Sequence, residues 1–157
     1  MKTEDDCSKQ KSLSLLESAL NYHFNSTDLL IRALTRYAYA GEHDLSSDAH
    51  MDAFATLGDA VIDLLVIESV LLCGETEKGI ITIKKMDMVN MSVLRDIGKN
   101  LDLEKFVFWG KGEVIQHVWT SGRVLAECVE AIIGAVYLDG DMISCRCVLK
   151  HLGLIPA

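Results

Sequence analysis

Residues 56–65, TLGDAVIDLL, constrain this chain more than any other stretch of similar length. Phe54, Leu57, Val61 and Leu64 follow 3,4,3 spacing, so the stretch reads as helix. Asp59 and Asp63 nevertheless stand four residues apart inside it, with a glycine directly before the first. Burying an unpaired charge is costly. A fold that keeps this helix must give its aspartates a basic partner, a cation or a cleft.

Helical spacing recurs along the whole chain, whereas strand-like alternation is nearly absent. Leu13, Leu16, Leu20 and Phe24 follow 3,4,4 spacing and predict an amphipathic helix. Asn25, Ser26 and Asp28 offer N-caps for a short second helix through Leu29, Leu30, Ala33 and Leu34. Residues 41–49 read as a loop, and a long helical pattern from about 48 to 73 is stopped by Gly74. A turn through Gly79 precedes helices over 82–90 and 92–100. Residues 103–109 fit either a helical turn or a brief extended piece, and 110–122, with three glycines, read as a loop. A helix over 123–138 ends at Asp139 and Gly140, and a last one over 141–152 ends at Gly153. The expectation is one all-α domain of about seven to nine helices over 13–157, after a polar tail over 1–12.

Composition narrows the setting. The chain has 157 residues, half of them hydrophobic and only one a proline, which is enough to bury a core. Five cysteines are an odd number, lack Cys-x-x-Cys spacing and mostly lie in apolar runs, which fits reduced thiols in the cytoplasm. The N-terminus has no signal-peptide core, and the apolar run 60–73 is shorter than the roughly 20 residues a bilayer span needs. No membrane partner is expected. A net charge of -8 and a pI near 5.0 argue against a stand-alone nucleic-acid binder, because phosphate binding draws on Lys and Arg. Acids that hold a divalent metal would reverse the local sign and weaken that objection.

Glu127 and Glu130, three apart in LAECVEAIIGA, share one helix face among Leu125, Val129, Ile132, Ile133 and Val136. Such a pair alone is usually a solvated face. Joined by Asp59, three acids on two apolar helices suit Mg²⁺ or Mn²⁺, hard ions that take carboxylate oxygen and keep several waters. Lys111, in GKGE, either lines a nucleic-acid backbone or belongs only to a turn. Lys84 and Lys85, with Arg95 and Lys99, form either a solvated face or a phosphate-binding surface. His117 and Trp119 read as stacking or capping residues. Cys145, Cys147 and His151 lack the second pair that a zinc finger needs.

The segments LNYHFNSTDLLIRALT, TLGDAVIDLL, GKGE and VLAECVEAIIGAVYLDG, in this order and at these separations, resemble the nuclease domain of ribonuclease III over about residues 15–152. The wording HVWTSGRVLAE resembles an archaeal member. The resemblance implies a symmetric homodimer paired through the signature helix, with Phe54, Leu57 and Val61 at the interface. It also implies Mg²⁺- or Mn²⁺-dependent cleavage of double-stranded or structured RNA, as in RNA processing. No double-stranded RNA-binding domain is expected, since the chain stops at Ala157.

The implied catalytic and metal-binding acids are Asp59, Glu127 and Glu130, and they carry over unevenly. The family's signature typically reads Asn-Glu-Arg-Leu-Glu-Phe-Leu-Gly-Asp, where this chain has MDAFATLGD over 51–59. The aspartate is kept as Asp59, but the second glutamate is Ala55 and the usual phenylalanine is Thr56, which leaves Phe54 as the expected interface anchor. Asp52 matches the first glutamate; it lies two turns, roughly 10 Å, from Asp59, so it can touch a second metal or the RNA without replacing the lost ligand. The family's second pair, aspartate then glutamate, is Glu127 and Glu130 here, and Glu127 carries its carboxylate roughly 1.5 Å further out. Beside Gly79, Lys78 stands where an acid is usual. A weakened endonuclease is the expected function, and a catalytically inactive RNA-binding or scaffold dimer is the alternative.

Overall fold

The computed structural model describes residues 4–157, with side chains from residue 12 onward. These residues form nine α-helices, two 3₁₀ turns and no strand, in accord with the all-α expectation. The helices are α1 (Glu4–Leu20), α2 (Thr27–Ala33), α3 (Tyr37–Glu42), α4 (Asp52–Leu72), α5 (Lys78–Met88), α6 (Met91–Asn100), α7 (Lys111–Ile115), α8 (Gly122–Asp139) and α9 (Met142–His151). From residue 4 the expected tail continues α1; residues 1–3 of it lie outside the described residues.

The hub is α8. Its apolar residues recur on nearly every face, and Leu125, Cys128, Val129, Ile132, Ile133 and Val136 are all buried. A helix apolar all round must be covered all round. Here α4 and α6 provide the main cover, with α2 and α9 completing it. Each fully buried Leu or Ile contributes roughly 1.5–3 kcal/mol, so this shell supplies most of what holds the domain together.

Two glycines set the geometry of the main contact. A Cβ on Gly58 of α4 would lie 1.7 Å from the carbonyl oxygen of Glu130, and one on Gly134 of α8 would lie 2.2 Å from the carbonyl oxygen of Phe54. The two backbones therefore touch, with no side chain between them. This close crossing fixes the register in which Asp59, next to Gly58, faces Glu130, one turn before Gly134.

Helix ends follow local chemistry. Gly74, at φ +91°, stops α4, and Gly153, at φ +76°, follows α9. A left-handed backbone is cheap only for glycine. The side chains of Glu77, Asn90 and Asp141 cap α5, α6 and α9.

Several sequence expectations need correction. Residues 110–122 are not a loop throughout: they contain α7 and a 3₁₀ turn over Val118–Thr120. Helix α3 begins before the expected 41–49 loop and ends inside it. Both short helices rest on contacts distant in sequence, since Glu42 of α3 accepts the backbone N–H of Lys111 at 2.8 Å and Arg36 pairs with Glu113. The 103–109 stretch combines both options, a 3₁₀ turn over Leu103–Lys105 and then a bridge between Phe108 and Thr35. The expected interface set also changes. Phe54 and Val61 are each only 4% exposed and belong to this chain's own core, with the guanidinium of Arg32 over the Phe54 ring. Leu57 is partly exposed, and the outward apolar stripe of α4 continues through Leu64, Ile67 and Leu71.

Gly134→Ala forces its methyl against a backbone carbonyl that cannot rotate away. A loss of about 3 kcal/mol in urea denaturation is expected. Gly41→Ala, in α3 with nothing within 4 Å of the new methyl, should instead stabilise by about 0.5–1 kcal/mol.

Candidate metal centre

The crossing of α4 and α8 brings Asp59, Glu127 and Glu130 to one cleft. They form a divide between two adjoining hollows. The first, about 450 Å³, is walled by Arg36, Tyr37, Met51, Asp52, Ala55 and Thr56. The second, about 370 Å³, is walled by Asp63, Lys85, Asn90, Met91 and Arg123 among others. Ala55 thus lies on the wall where the resemblance places it, one turn from Asp59. Its methyl leaves room there and offers no oxygen.

The three acids differ sharply in their partners. Glu127 is held on both sides: Arg123 Nε stands 3.0 Å from one carboxylate oxygen, and Arg36 Nη1 stands 3.5 Å from the other. Neither Asp59 nor Glu130 has a hydrogen-bond or ion-pair partner among the described residues. Asp59 is exposed to solvent, and Glu130 is half-buried. Burial, reinforced by the nearby charges of Asp59, Glu127 and Asp63 and opposed by Arg123, pushes the Glu130 carboxyl up to about 7. Asp63, the other aspartate of the opening stretch, is matched by Lys85 at 2.5 Å. Of the two aspartates in residues 56–65, one has its counter-charge and one faces the cleft without any.

Arg36 escaped the sequence reading. Its backbone N–H donates to Phe108 and the carbonyl of Thr35 accepts from Met51, so the segment before α3 is stitched to two distant stretches. That stitching aims the side chain at the cleft. Burial disfavours the Arg36 charge, but the hydrogen bond and charge of Glu113, joined by Glu127, hold its pKa above the usual value. Only the lone basic residue in ALTRYAYA signalled it.

The other sequence candidates separate. Asp52 stands at the rim of the first hollow, 3.6 Å from His50 Nδ1. Lys85 lines the second hollow but is committed to Asp63, whereas Lys84 pairs with Glu75 at 3.0 Å and lines neither. Lys111 opens α7 and lines neither hollow. Beside Gly79, the acid at position 77 is spent on capping α5. His117 packs edge-on against Trp119. Cys145 is buried with its thiol toward the Ile133 carbonyl, while His151 bonds to Ala19, so these two side chains do not meet at a zinc site.

Two free carboxylates, one half-buried and both beside open volume, match the donor set of Mg²⁺ or Mn²⁺, which is often held by one or two carboxylates plus substrate oxygens. Among the described residues no three His, Cys, Asp or Glu side chains gather closely enough to cage an ion. The arrangement fits an ion supported by Asp59 and Glu130, and leaves Glu127 neutralised by guanidinium groups.

Comparison with known proteins bears on the same residues. A family model described as ribonuclease-III-like matches residues 26–154. The chain is 33% identical over 138 residues to Ribonuclease 3 of Oleidesulfovibrio alaskensis, covering 87% of this chain and 60% of that protein. It is also 34% identical over 137 residues to Ribonuclease 3 of Bdellovibrio bacteriovorus, covering 87% of this chain and 58% of that protein. The chain therefore spans about 60% of the length of the curated relatives it matches. These relatives are bacterial and lend no support to an archaeal reading. Two structures of the ribonuclease III nuclease domain from Campylobacter jejuni superpose with TM-scores of 0.80 and 0.79 at 27% and 26% identity. They cover 88% and 90% of this chain and 93% and 94% of those chains, and one is described as showing structural flexibility in the region involved in dimer formation. The family model over most of the chain, the curated relatives and the helical architecture agree: the chain belongs to the ribonuclease III-like family.

Proposed function

We propose that this chain is the nuclease domain of a metal-dependent endoribonuclease that hydrolyses phosphodiester bonds in double-stranded or structured RNA. The observation that carries the reading is the unpaired state of Asp59 and Glu130. Two carboxylates left without partners, one of them half-buried, raise the free energy of the folded chain unless a cation joins them. Asp59 and Glu130 would hold Mg²⁺ or Mn²⁺. When bound, such an ion supplies an acidified water to attack phosphorus and positive charge for the phosphate oxygens. Asp59 and Glu130 orient it, while Arg123, at the open edge of the second hollow, presents a cation toward a phosphodiester entering beside them. Ala55 supplies no ligand, so activity is weaker than in a member with a glutamate there. The reading includes a cytoplasmic setting, which accords with four cysteines free of disulfides. Among the described residues no helix is long and apolar enough to cross a membrane.

The second reading, an inactive RNA-binding or scaffold dimer, is favoured by Ala55 together with the engagement of Glu127. One experiment separates them. With a long RNA duplex and Mn²⁺, the chain should cleave, and Asp59→Asn or Glu130→Gln should lower the rate about 100-fold or more. Duplex binding without cleavage supports the scaffold, and cleavage by Glu130→Gln at the original rate rejects the metal site.

A homodimer belongs to the same proposal. The stripe through Leu57, Leu64 (54% exposed), Ile67 and Leu71 of α4, with exposed Ile83 (61%) and Met86 on α5, which packs against α4, leaves more apolar surface than an isolated residue would. A two-fold contact covers the same face twice. Sedimentation at tens of micromolar should show a dimer, and Leu64→Glu should shift it to monomer.

Titration offers an independent check. Glu130 titrates near about 7 when folded and at an ordinary carboxylate value when unfolded. The folded state binds that proton more tightly, so stability falls as pH rises between the two values, and the loss is complete above the folded one. Without divalent metal, Glu130→Gln and the unaltered chain should melt alike near pH 4. At about pH 8 the variant should melt higher by on the order of 2–4 °C, a modest gain because solvent screens the half-open carboxyl.

A further inference from the structure

Arg36 lines the first hollow together with Ala55, Asp59, Glu127 and Glu130. Its Nε and Nη2 both stand 2.9 Å from Glu113 Oε1, and its Nη1 lies 3.5 Å from Glu127 Oε2 and 3.9 Å from Met51 Sδ. Met51, the N-cap of α4, and Ala55 are one turn apart and line the same hollow, so the guanidinium that reaches Met51 shares this hollow with the Ala55 methyl. The side chain is only 16% exposed, and backbone hydrogen bonds of Thr35 and Arg36 to Met51 and Phe108 anchor its base. Arg123 grips the other oxygen of Glu127 but is 76% exposed and pairs along one helix, an interaction that solvent screens and a ligand readily replaces. The durable hold on Glu127 is therefore Arg36.

We propose that Arg36 is a positioning residue that withholds Glu127 from the ion, leaving a two-carboxylate site of Asp59 and Glu130 whose cation affinity Arg36 keeps low. The inference rests on the metal reading of the cleft. It reassigns Glu127 from ligand to counter-ion of Arg36, and it makes the Arg36 and Ala55 positions one coupled feature. The missing carboxylate at 55 makes the room, and the guanidinium beside it holds Glu127 back. Freed from Arg36, the longer Glu127 side chain can turn toward Asp59 and Glu130 from the same helix face as Glu130.

Mn²⁺ titrations of the whole chain, read by calorimetry and by electron paramagnetic resonance of free Mn²⁺, test this. Asp59→Asn and Glu130→Gln should each abolish binding. Glu127→Gln alone should change Kd less than about twofold, and Arg36→Gln should tighten it roughly tenfold, the scale of coupling between charged neighbours. In the Arg36→Gln, Glu127→Gln double variant that gain should vanish. Loss of a positive charge alone would give Glu127→Gln the same effect in both backgrounds, so non-additivity is the decisive sign. Glu127→Gln keeps the Arg36–Glu113 pair and decides the matter even where Arg36→Gln unfolds. If it weakens binding as much as Glu130→Gln does, Glu127 is a ligand and the proposal is overturned. Mn²⁺ binding that needs Asp59 and Glu130 but is indifferent to Arg36→Gln overturns this inference alone. No binding by any form overturns it together with the metal reading.

Discussion

Backbone contact between α4 and α8 at Gly58 and Gly134 is the constraint on which the rest depends. Side-chain packing tolerates shifts of a few tenths of an ångström, but a carbonyl pressed against a glycine Cα does not. The helices can neither slide nor roll without losing that fit. Asp59 follows one contact residue, and Glu130 supplies the carbonyl met by the other helix. The placement of two like charges near each other is thus a by-product of the tightest packing in the domain, and stability of the core holds them there.

Charge around the cleft is distributed unevenly, and the unevenness is informative. Asp63, Glu113 and Glu127 each have a basic partner, drawn from α5, the segment before α3 and the start of α8 respectively. Among the described residues lining the two hollows, Asp52 at the rim meets only His50 Nδ1 at 3.6 Å, and Asp59 and Glu130 are the acids with no ion-pair partner. A protein selected only for stability would have matched these as well, because a half-buried carboxylate beside another costs more than most surface pairs return. Pre-arranged unfavourable charge of this kind is what a site for a cation requires.

Much of this was legible in the sequence, for local reasons. The apolar stripes of α4 and α8, the glycine stops at 74 and 153, and the acids at 59 and 130 are all written within a few residues of where they act. Spacing did not reveal which of two apolar stripes on α4 faces inward: Phe54 and Val61 go to the core and Leu64 to the surface, although all are hydrophobic. Short helices α3 and α7 were missed because neither carries a full period of apolar residues, and each depends on a partner far along the chain. Arg36 was missed for the same reason. Its two acidic partners are 77 and 91 residues away, and no local pattern announces a guanidinium that arrives from such a distance.

Helix α5 rests on α4 and buries none of its residues fully, yet it carries Lys85 into the wall of the second hollow. An element with so little core of its own opens at a free energy well below that of global unfolding, and its amides exchange accordingly. Each opening withdraws Lys85 from Asp63 and leaves a second aspartate on α4 without its counter-charge. The electrostatic character of the cleft is therefore tied to the local stability of a peripheral helix, and anything that clamps α5 against α4 also fixes how negative the cleft is.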